Sequence, residues 1–127
     1  MASIPVCMAP DPNTRVPKYR PPPGACDAHC HVFGPGKRFP YAKERTYDPP
    51  DAPKENLAAL HQQLGFQRAI LVQASCHGTD NSAMLDALVS SRGAWRGSAM
   101  VAKGVAQMEL QKLHAAGVRA IRYNFVK

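Results

Sequence analysis

Two histidines, His29 and His31, stand two residues apart in residues 25–33, a stretch whose composition predicts a β-strand. Side chains two apart on a strand share a face, so Asp27 would lie in one row with both imidazoles. The opposite row would hold Cys26, Ala28, Cys30 and Val32. Two imidazoles in this arrangement can bind one divalent metal ion, polarise a carbonyl oxygen or stabilise a developing oxyanion. An edge strand with solvated histidines is the alternative.

Polar side chains also gather at the ends of two later predicted strands, residues 68–77 and 118–125. Those predicted to share a face are Gln73, Ser75 and His77 in the first strand, and Arg122 and Asn124 in the second. A guanidinium group suits a carboxylate, because its planar fork can donate two parallel hydrogen bonds. Ser75, together with Tyr47 from the long loop 33–50, adds neutral hydroxyl donors. The set predicts hydrolysis of a carboxylated substrate.

Structural roles for the same residues remain open. Ser75 could cap a turn at the strand end, and Arg122 could form an ion pair inside a barrel. His77 could serve the site or support the loop. His61, on a predicted helix with Leu57 and Leu64, is expected to be a surface residue or part of the buried stripe.

Strands and helices alternate along the predicted fold. Strands are predicted at 25–32, 68–77, 95–102 and 118–125, and helices at 51–64, 81–91 and 106–116. This alternation requires a parallel sheet with right-handed crossovers. Polar groups at the carboxyl ends of the strands favour the N-terminal half of a (β/α)8 barrel, with about four strands and three helices. An open flavodoxin-like sheet is the alternative, although no glycine-rich phosphate loop follows the first strand.

The N-terminal region differs in composition from the rest of the chain. Residues 1–24 contain many of the chain's 12 prolines and show almost no hydrophobic periodicity, which predicts an extended tail. The predicted domain therefore occupies residues 25–127, with helix 51–64 beginning at an Asp51 cap and ending at Gly65.

Charge and composition narrow the classes of partner. The formal net charge is +7, but the 16 Lys and Arg residues are scattered and no stacking-aromatic motif accompanies them. We therefore expect a small anionic substrate and no nucleic acid. No apolar run reaches the ~20 residues that a membrane span needs, and the start lacks signal-peptide features, so we expect a cytoplasmic protein without membrane contact. The 4 cysteines form no CxxC pair, which argues against a structural zinc site.

The segment 27–36, DAHCHVFGPG, resembles the opening HxH strand of the amidohydrolase superfamily. Four other segments are similar to the 2-pyrone-4,6-dicarboxylate lactonase branch of its amidohydrolase-related (amidohydrolase 2) family: FPY at 39–41, DAP at 51–53, VQASCHG at 72–78 and AGVRAIRYNF at 116–125. The similarity covers nearly everything after residue 22.

The resemblance implies a (β/α)8 barrel that opens a pyrone-dicarboxylate lactone to a tricarboxylate, in bacterial breakdown of lignin-derived aromatics, without a metal cofactor. His29 and His31 would be the catalytic residues, acting on the lactone carbonyl or its oxyanion. Tyr47, Ser75 and Arg122 would hold the substrate's carboxylates or carbonyl, and we add His77 to this substrate-binding set.

The sequence departs from the family pattern in length. The family barrel has eight strands and takes its water-activating aspartate from the last one, whereas four strands are predicted here. We therefore expect a fragment, or a chain completed by a second half-barrel or another copy, with no appreciable lactonase activity from the 127 residues alone. Two alternatives remain. One is a metal-dependent hydrolase or decarboxylase of the superfamily, with His29 and His31 holding zinc or manganese. The other is a non-catalytic half-barrel that serves binding or assembly.

Overall fold

A computed structural model of the chain describes residues 3–125. Its strands are β1 (Cys26–Cys30), β2 (Arg68–Val72), β3 (Trp95–Ala99) and β4 (Val118–Ile121). Its helices are α1 (Lys54–Leu64), α2 (Ser82–Ser90) and α3 (Gln107–Ala115), with a short 3-10 helix at Ser75–His77. Residues 1–2 of the predicted tail and 126–127 of the predicted domain lie outside the described residues.

The four strands form one parallel sheet in the order β1-β2-β3-β4. Each helix connects two neighbouring parallel strands, as the alternating pattern requires. The predicted four parallel strands and three helices are confirmed. None of the helices between residues 3 and 125 has the length and apolar character that a membrane span requires.

The core lies between the sheet and the helices that cover one of its faces. The strands contribute Cys30, Ala69, Leu71, Trp95, Ala99 and Val118, and the helices contribute Ala83, Met84, Ala87, Leu88 and Leu113. Helix α2 approaches β3 closely at Gly97, where an added Cβ would lie 2.8 Å from Leu88 Cδ1. Val89 of α2 lies outside this core, because it is 70% exposed. Met108 and Leu110 of α3 are also exposed, whereas Leu113 is buried.

Helix α1 begins and ends at residues with special backbone requirements. Its N-cap is Pro53, with no side-chain cap, so the predicted cap at Asp51 is wrong. Its C-cap is Gly65, with a φ of 89°, and the Gly65 N–H donates to the His61 carbonyl. A left-handed residue at this position is easiest for glycine, and the predicted helix end is confirmed.

Strand β1 contains a bulge that changes which side chains share a face. Asp27 pairs with Ala69 and Cys30 with Leu71, so a step of three residues in β1 opposes a step of two in β2. One extra residue therefore interrupts the alternation between Asp27 and Cys30. As a result, both side chains face the same way as Ala69 and Leu71, toward the helices.

Because of the bulge, the prediction of two rows of side chains on β1 is wrong. Asp27 does not share a row with His29 and His31, because it lies on the helix side of the strand. Cys26 is exposed while Cys30 is buried, so these two cysteines do not form one apolar face either.

The predicted alternation of β2 is wrong in a second way. Ala69 and Leu71 are core residues on the helix side, and the strand ends at Val72. The chain then turns into the 3-10 helix, so Gln73, Ser75 and His77 are not presented by strand alternation.

The N-terminal segment 3–24 runs along the surface of α1. Thr14 and Gln63 exchange two hydrogen bonds, and the Gly24 N–H donates to the Gln67 side chain. Near its start, the segment forms a β-bridge between Val6 and Asp48. The segment thus lies against the body of the molecule.

Candidate active site

His31 is fixed by a hydrogen bond to the end of β2. Its Nδ1 lies 2.8 Å from the carbonyl oxygen of Val72. Because a carbonyl can only accept, Nδ1 carries the proton, and the neutral ring keeps its lone pair on Nε2. Burial lowers the pKa of His31, and the nearby His29 and Arg122 act in the same direction, while the bond to Val72 opposes them. At neutral pH, His31 Nε2 can therefore accept a proton or a hydrogen bond, or bind a metal ion.

His29 stands beside His31 with its ring more exposed. The two ring centroids are 5.0 Å apart in an edge-to-face arrangement. The His29 backbone N–H donates to Asp27 Oδ1 at 3.1 Å. Among residues 3–125, the ring nitrogens of His29 have no hydrogen-bond partner, so the imidazole is available to a ligand.

Arg122 reaches the same end of β2 from β4. Its guanidinium donates to the Gln73 carbonyl at 2.8 Å. Within the described part of the chain it forms no ion pair, so the predicted alternative of an ion pair inside the barrel finds no carboxylate partner there. Four of the five guanidinium N–H groups remain for a ligand, since a single N–H makes this bond. His31 and Arg122 are thus held by consecutive carbonyls, those of Val72 and Gln73.

The Gln73 side chain itself turns away from this site. Its Nε2 donates to the carbonyls of Gly78 and Asp80, at 3.1 and 2.7 Å. Gln73 therefore contributes its backbone to the site, while its buried amide closes the turn that follows β2.

Ser75, two residues after Gln73 in the sequence, contacts Tyr47. Ser75 Oγ donates to the Tyr47 hydroxyl at 3.3 Å, and Ser75 does not cap the 3-10 helix, whose N-cap is Ala74. Burial raises the pKa of Tyr47, so its hydroxyl stays protonated and can donate. The structure thus pairs the two predicted hydroxyl donors.

Both ring nitrogens of His77 form hydrogen bonds to the backbone of the long loop 33–50. Its Nε2 accepts from the Gly34 N–H at 3.1 Å, and its Nδ1 donates to the Pro40 carbonyl at 3.3 Å. The ring is buried, and this burial lowers its pKa. Because both nitrogens have backbone partners, this geometry favours loop support over the predicted contact of His77 with substrate.

The loop that carries Tyr47 is held on several sides. Asp51 Oδ1 accepts from the Gly36 N–H at 2.9 Å and from the Tyr41 hydroxyl at 2.7 Å. The Ala42 N–H donates to the Cys76 carbonyl, which anchors the loop to the 3-10 helix. The loop is therefore part of the site's framework.

A buried group behind β1 was not predicted from the sequence. Asp27 Oδ2 lies 3.0 Å from His61 Nε2, and the ligand atoms of Asp27, Cys30 and His61 all lie within 4.8 Å of one another. Among residues 3–125, these are the three His, Cys or acidic side chains that lie close enough together to share a metal ion. Burial raises the pKa of the Cys30 thiol to about 12. The sequence does contain one signal for this group. His61 lies four residues after Leu57 and three before Leu64, which puts it on the buried face of α1.

Comparison with known proteins identifies the family. Residues 26–127 match the family model Amidohydro_2, described as amidohydrolase. The chain belongs to the amidohydrolase family. This confirms the predicted membership.

Similar proteins have names that specify lactone substrates. The chain is 56% identical over 115 residues to a 2-pyrone-4,6-dicarboxylate hydrolase of Comamonas testosteroni, covering 91% of this chain and 38% of that protein. It is 40% identical over 124 residues to a 4-sulfomuconolactone hydrolase of Rhizobium radiobacter, covering 98% of this chain and 42% of that protein. The chain thus spans about two-fifths of the length of these curated relatives.

A solved structure supports the fold. A chain from Acinetobacter baumannii, named a probable 2-pyrone-4,6-dicarboxylic acid hydrolase and containing citric acid, matches with a TM-score of 0.73 at 29% identity. The match covers 79% of this chain and 37% of that one. Together with the family match, it confirms the predicted α/β half-barrel.

Proposed function

We propose that this chain supplies the His29, His31, Tyr47, Ser75 and Arg122 part of an active site that hydrolyses a lactone bearing anionic groups. The proposed substrate is 2-pyrone-4,6-dicarboxylate, in the breakdown of lignin-derived aromatics. The observation that carries the proposal is that His31 and Arg122 bind two consecutive carbonyls, that of Val72 at the end of β2 and that of Gln73 directly after it. The proximity of a proton acceptor and a guanidinium group at one edge of the sheet supports the proposal.

Binding of the anionic groups is assigned to Arg122, assisted by Ser75. The guanidinium keeps donors free after its bond to Gln73, and charge-assisted hydrogen bonds to carboxylates are among the stronger ones in proteins. The net charge of +7 adds a general attraction for anions.

Because of the tautomer of His31, the two imidazoles have different roles in the proposed reaction. In its neutral form, His31 can accept a hydrogen bond from the attacking water at Nε2, but it has no N–H there to polarise a carbonyl. We therefore assign polarisation of the lactone carbonyl to His29 and the Tyr47 hydroxyl. Attack of water forms a bond from its oxygen to the lactone carbonyl carbon, and the bond from that carbon to the ring oxygen breaks. One proton of the water passes to the departing ring oxygen and the other is lost to solvent, so the product gains a third carboxylate.

The names of the relatives support an anionic lactone as substrate. One relative is named for a pyrone dicarboxylate and another for a sulfonated lactone, so the two share a cyclic ester with acidic substituents. The Acinetobacter structure contains citric acid, which carries three carboxyl groups like the proposed product.

Metal-dependent hydrolysis is a second candidate, because the Nε2 lone pair of His31 fits a metal ligand. A histidine that donates its other N–H to a carbonyl is typical of metal sites. His29 and His31 would hold zinc or manganese, which would supply a Lewis acid. Metal analysis of the purified chain separates the two candidates, since about one tightly held ion per chain, lost in His31→Ala, favours the second.

The first test is whether the 127-residue chain binds 2-pyrone-4,6-dicarboxylate, which is measured by titrating the ligand into the chain and recording NMR spectra. We expect resonances at Ser75 and Arg122 to shift, and Arg122→Met to weaken binding by about tenfold or more, because it removes a charge-assisted contact. Arg119→Met is the matched control, since Arg119 binds the carbonyls of His114 and Val118 instead. The neutral dimethyl ester should bind weakly. Equal losses in the two arginine variants would contradict the proposal.

Turnover is measured separately, as loss of the pyrone absorbance. We expect no appreciable turnover by the chain alone, because the family's water-activating aspartate has no counterpart in its four strands. A second half-barrel or another copy of the chain is the proposed completing partner. Turnover by the purified chain that disappears in His31→Ala would contradict this expectation, and binding without turnover in any assembly would favour a binding module.

A further inference from the structure

Both carboxylate oxygens of Asp27 are engaged. Oδ1 accepts from the His29 backbone N–H at 3.1 Å, and Oδ2 lies 3.0 Å from His61 Nε2. Partial burial would raise the pKa of Asp27, but the bonds from His29 and His61 outweigh it and bring this pKa below its usual value. The carboxylate is therefore ionised and can only accept, so His61 Nε2 carries the proton that it donates.

His61 occupies a site that packing alone would fill with an apolar residue. Its ring is 3% exposed and stands edge-on to Phe66 and Trp95, at centroid distances of 5.7 and 5.8 Å. Its Nδ1 is buried with no hydrogen-bond partner. An unpartnered buried polar atom destabilises the folded state, so the favourable interaction that a histidine adds at this position is the bond to Asp27.

The Asp27 contacts lie at the start of the β1 bulge. The extra residue between Asp27 and Cys30 turns Asp27 toward the helices, whereas His29 and His31 lie away from them. The bond from the His29 amide to Asp27 Oδ1 fixes the backbone at this point. Two residues later, the His31 ring meets the Val72 carbonyl and takes the Nδ1–H tautomer.

We propose that His61 is a positioning residue for the His29–His31 pair, acting through Asp27. The Nε2–H of His61 holds the carboxylate, the carboxylate holds the His29 amide, and this backbone geometry places His31 against Val72. His61 thus determines, from the opposite side of the sheet, which nitrogen of His31 is free. The catalytic significance of this control rests on the proposed function, but the structural effect does not.

The test reads the His31 tautomer directly, from long-range nitrogen–proton NMR spectra of the imidazoles in the whole 127-residue chain. The unmodified chain should show a single Nδ1–H form for His31. His61→Leu removes the donor at similar volume, and it should convert His31 to a mixture of tautomers. His61→Gln offers an amide donor near the position of Nε2, and it should restore the Nδ1–H form. His114→Leu, on the exposed side of α3, is the control and should change nothing.

Amide protection at Leu71 and Ala99 reports whether each variant keeps its sheet. An unchanged His31 tautomer in folded His61→Leu would overturn the proposal. If the leucine variant does not fold, the glutamine variant decides, because a folded His61→Gln with mixed tautomers overturns it equally. Stoichiometric zinc binding by the unmodified chain that displaces the His61–Asp27 bond would show instead that Asp27, Cys30 and His61 form a metal site. Lactone binding is not part of this readout, so failure of the proposed function would be seen separately.

Discussion

At the residue scale, one hydrogen bond decides what His31 can do. The spacing of His29 and His31 predicted a pair of neighbouring imidazoles, and the rings are indeed adjacent. The sequence could not predict the tautomer, because it depends on the carbonyl of Val72, 41 residues away. The role of His77 was open for the same reason, since its loop partners Gly34 and Pro40 are distant in sequence. Side-chain type and spacing thus predict which groups meet, but the protonation site follows from partners that only the fold brings close.

The four cysteines give a residue-scale prediction. Cys7 and Cys26 are exposed, whereas Cys30 and Cys76 are buried, and burial raises the pKa of both buried thiols, that of Cys30 to about 12. Because the thiolate is the reactive form, iodoacetamide at mildly alkaline pH should label Cys30 and Cys76 slower than Cys26 by about two orders of magnitude or more. Peptide mapping by mass spectrometry measures each rate, and unfolding in denaturant should equalise them. Fast labelling of Cys30 in the folded chain would contradict its burial.

At the scale of elements, the order of strands and helices followed from hydrophobic periodicity, but the faces of β1 did not. A strand's faces alternate only while its register with the neighbour is constant, and the bulge at Asp27–Cys30 breaks that register. Nothing in a five-residue strand signals such a break before its partner is known. Strand β2 was predicted too long because residues 73–77 alternate polar side chains with small or apolar ones, as a strand can, whereas the structure uses them for a tight turn.

The contact between α2 and β3 provides a test at this scale. A Cβ at Gly97 would lie 2.8 Å from Leu88 Cδ1 and 3.2 Å from Val118 Cγ2. Gly97→Ala should therefore lower the free energy of unfolding by about 1–3 kcal/mol through overpacking, measured by denaturant unfolding. Adding Leu88→Val removes the nearer methyl contact, so the double variant should lose less stability than the sum of the two single variants. Simple additivity would show that helix α2 can move away without cost.

At the scale of the whole molecule, the four-stranded sheet matches part of a larger solved structure. Polar groups from β1, β4 and the segment after β2 meet where the strands end, which parallel topology alone could predict. In the described residues, β1 and β4 each pair with one strand, and exposed apolar side chains such as Tyr123 and Phe125 follow β4. The matches to about two-fifths of longer relatives agree with this open arrangement. The network behind β1 was missed because it joins the strand to helix α1 on the helix side of the sheet, between residues 34 apart in sequence, which no local pattern spans.

Buried histidines should make the stability of the whole chain depend on pH. Burial is the main cause of the lowered pKa of both His31 and His77, so the native state disfavours their charged forms. Below the ordinary value of 6.5, the unfolded chain binds more protons at these sites than the native chain does. The contribution of these two histidines to the free energy of unfolding should therefore be at its maximum above pH 6.5. It should decrease as the pH falls from 6.5 through the lowered native pKa values. Asp27, whose pKa is lowered from 3.8, adds its own loss only at more acidic pH.

Denaturant unfolding at a series of pH values measures this dependence. The informative quantity is the slope of the free energy of unfolding against pH. His77→Asn can keep a donor toward the Pro40 carbonyl but cannot titrate, so it should flatten the slope below pH 6.5 even if it lowers stability overall. His114→Asn, at an exposed position on α3, serves as the control and should leave the slope unchanged. If His77→Asn retains the full slope, His77 is not held neutral by its burial, and the account of the loop as a rigid frame for Tyr47 loses its main support.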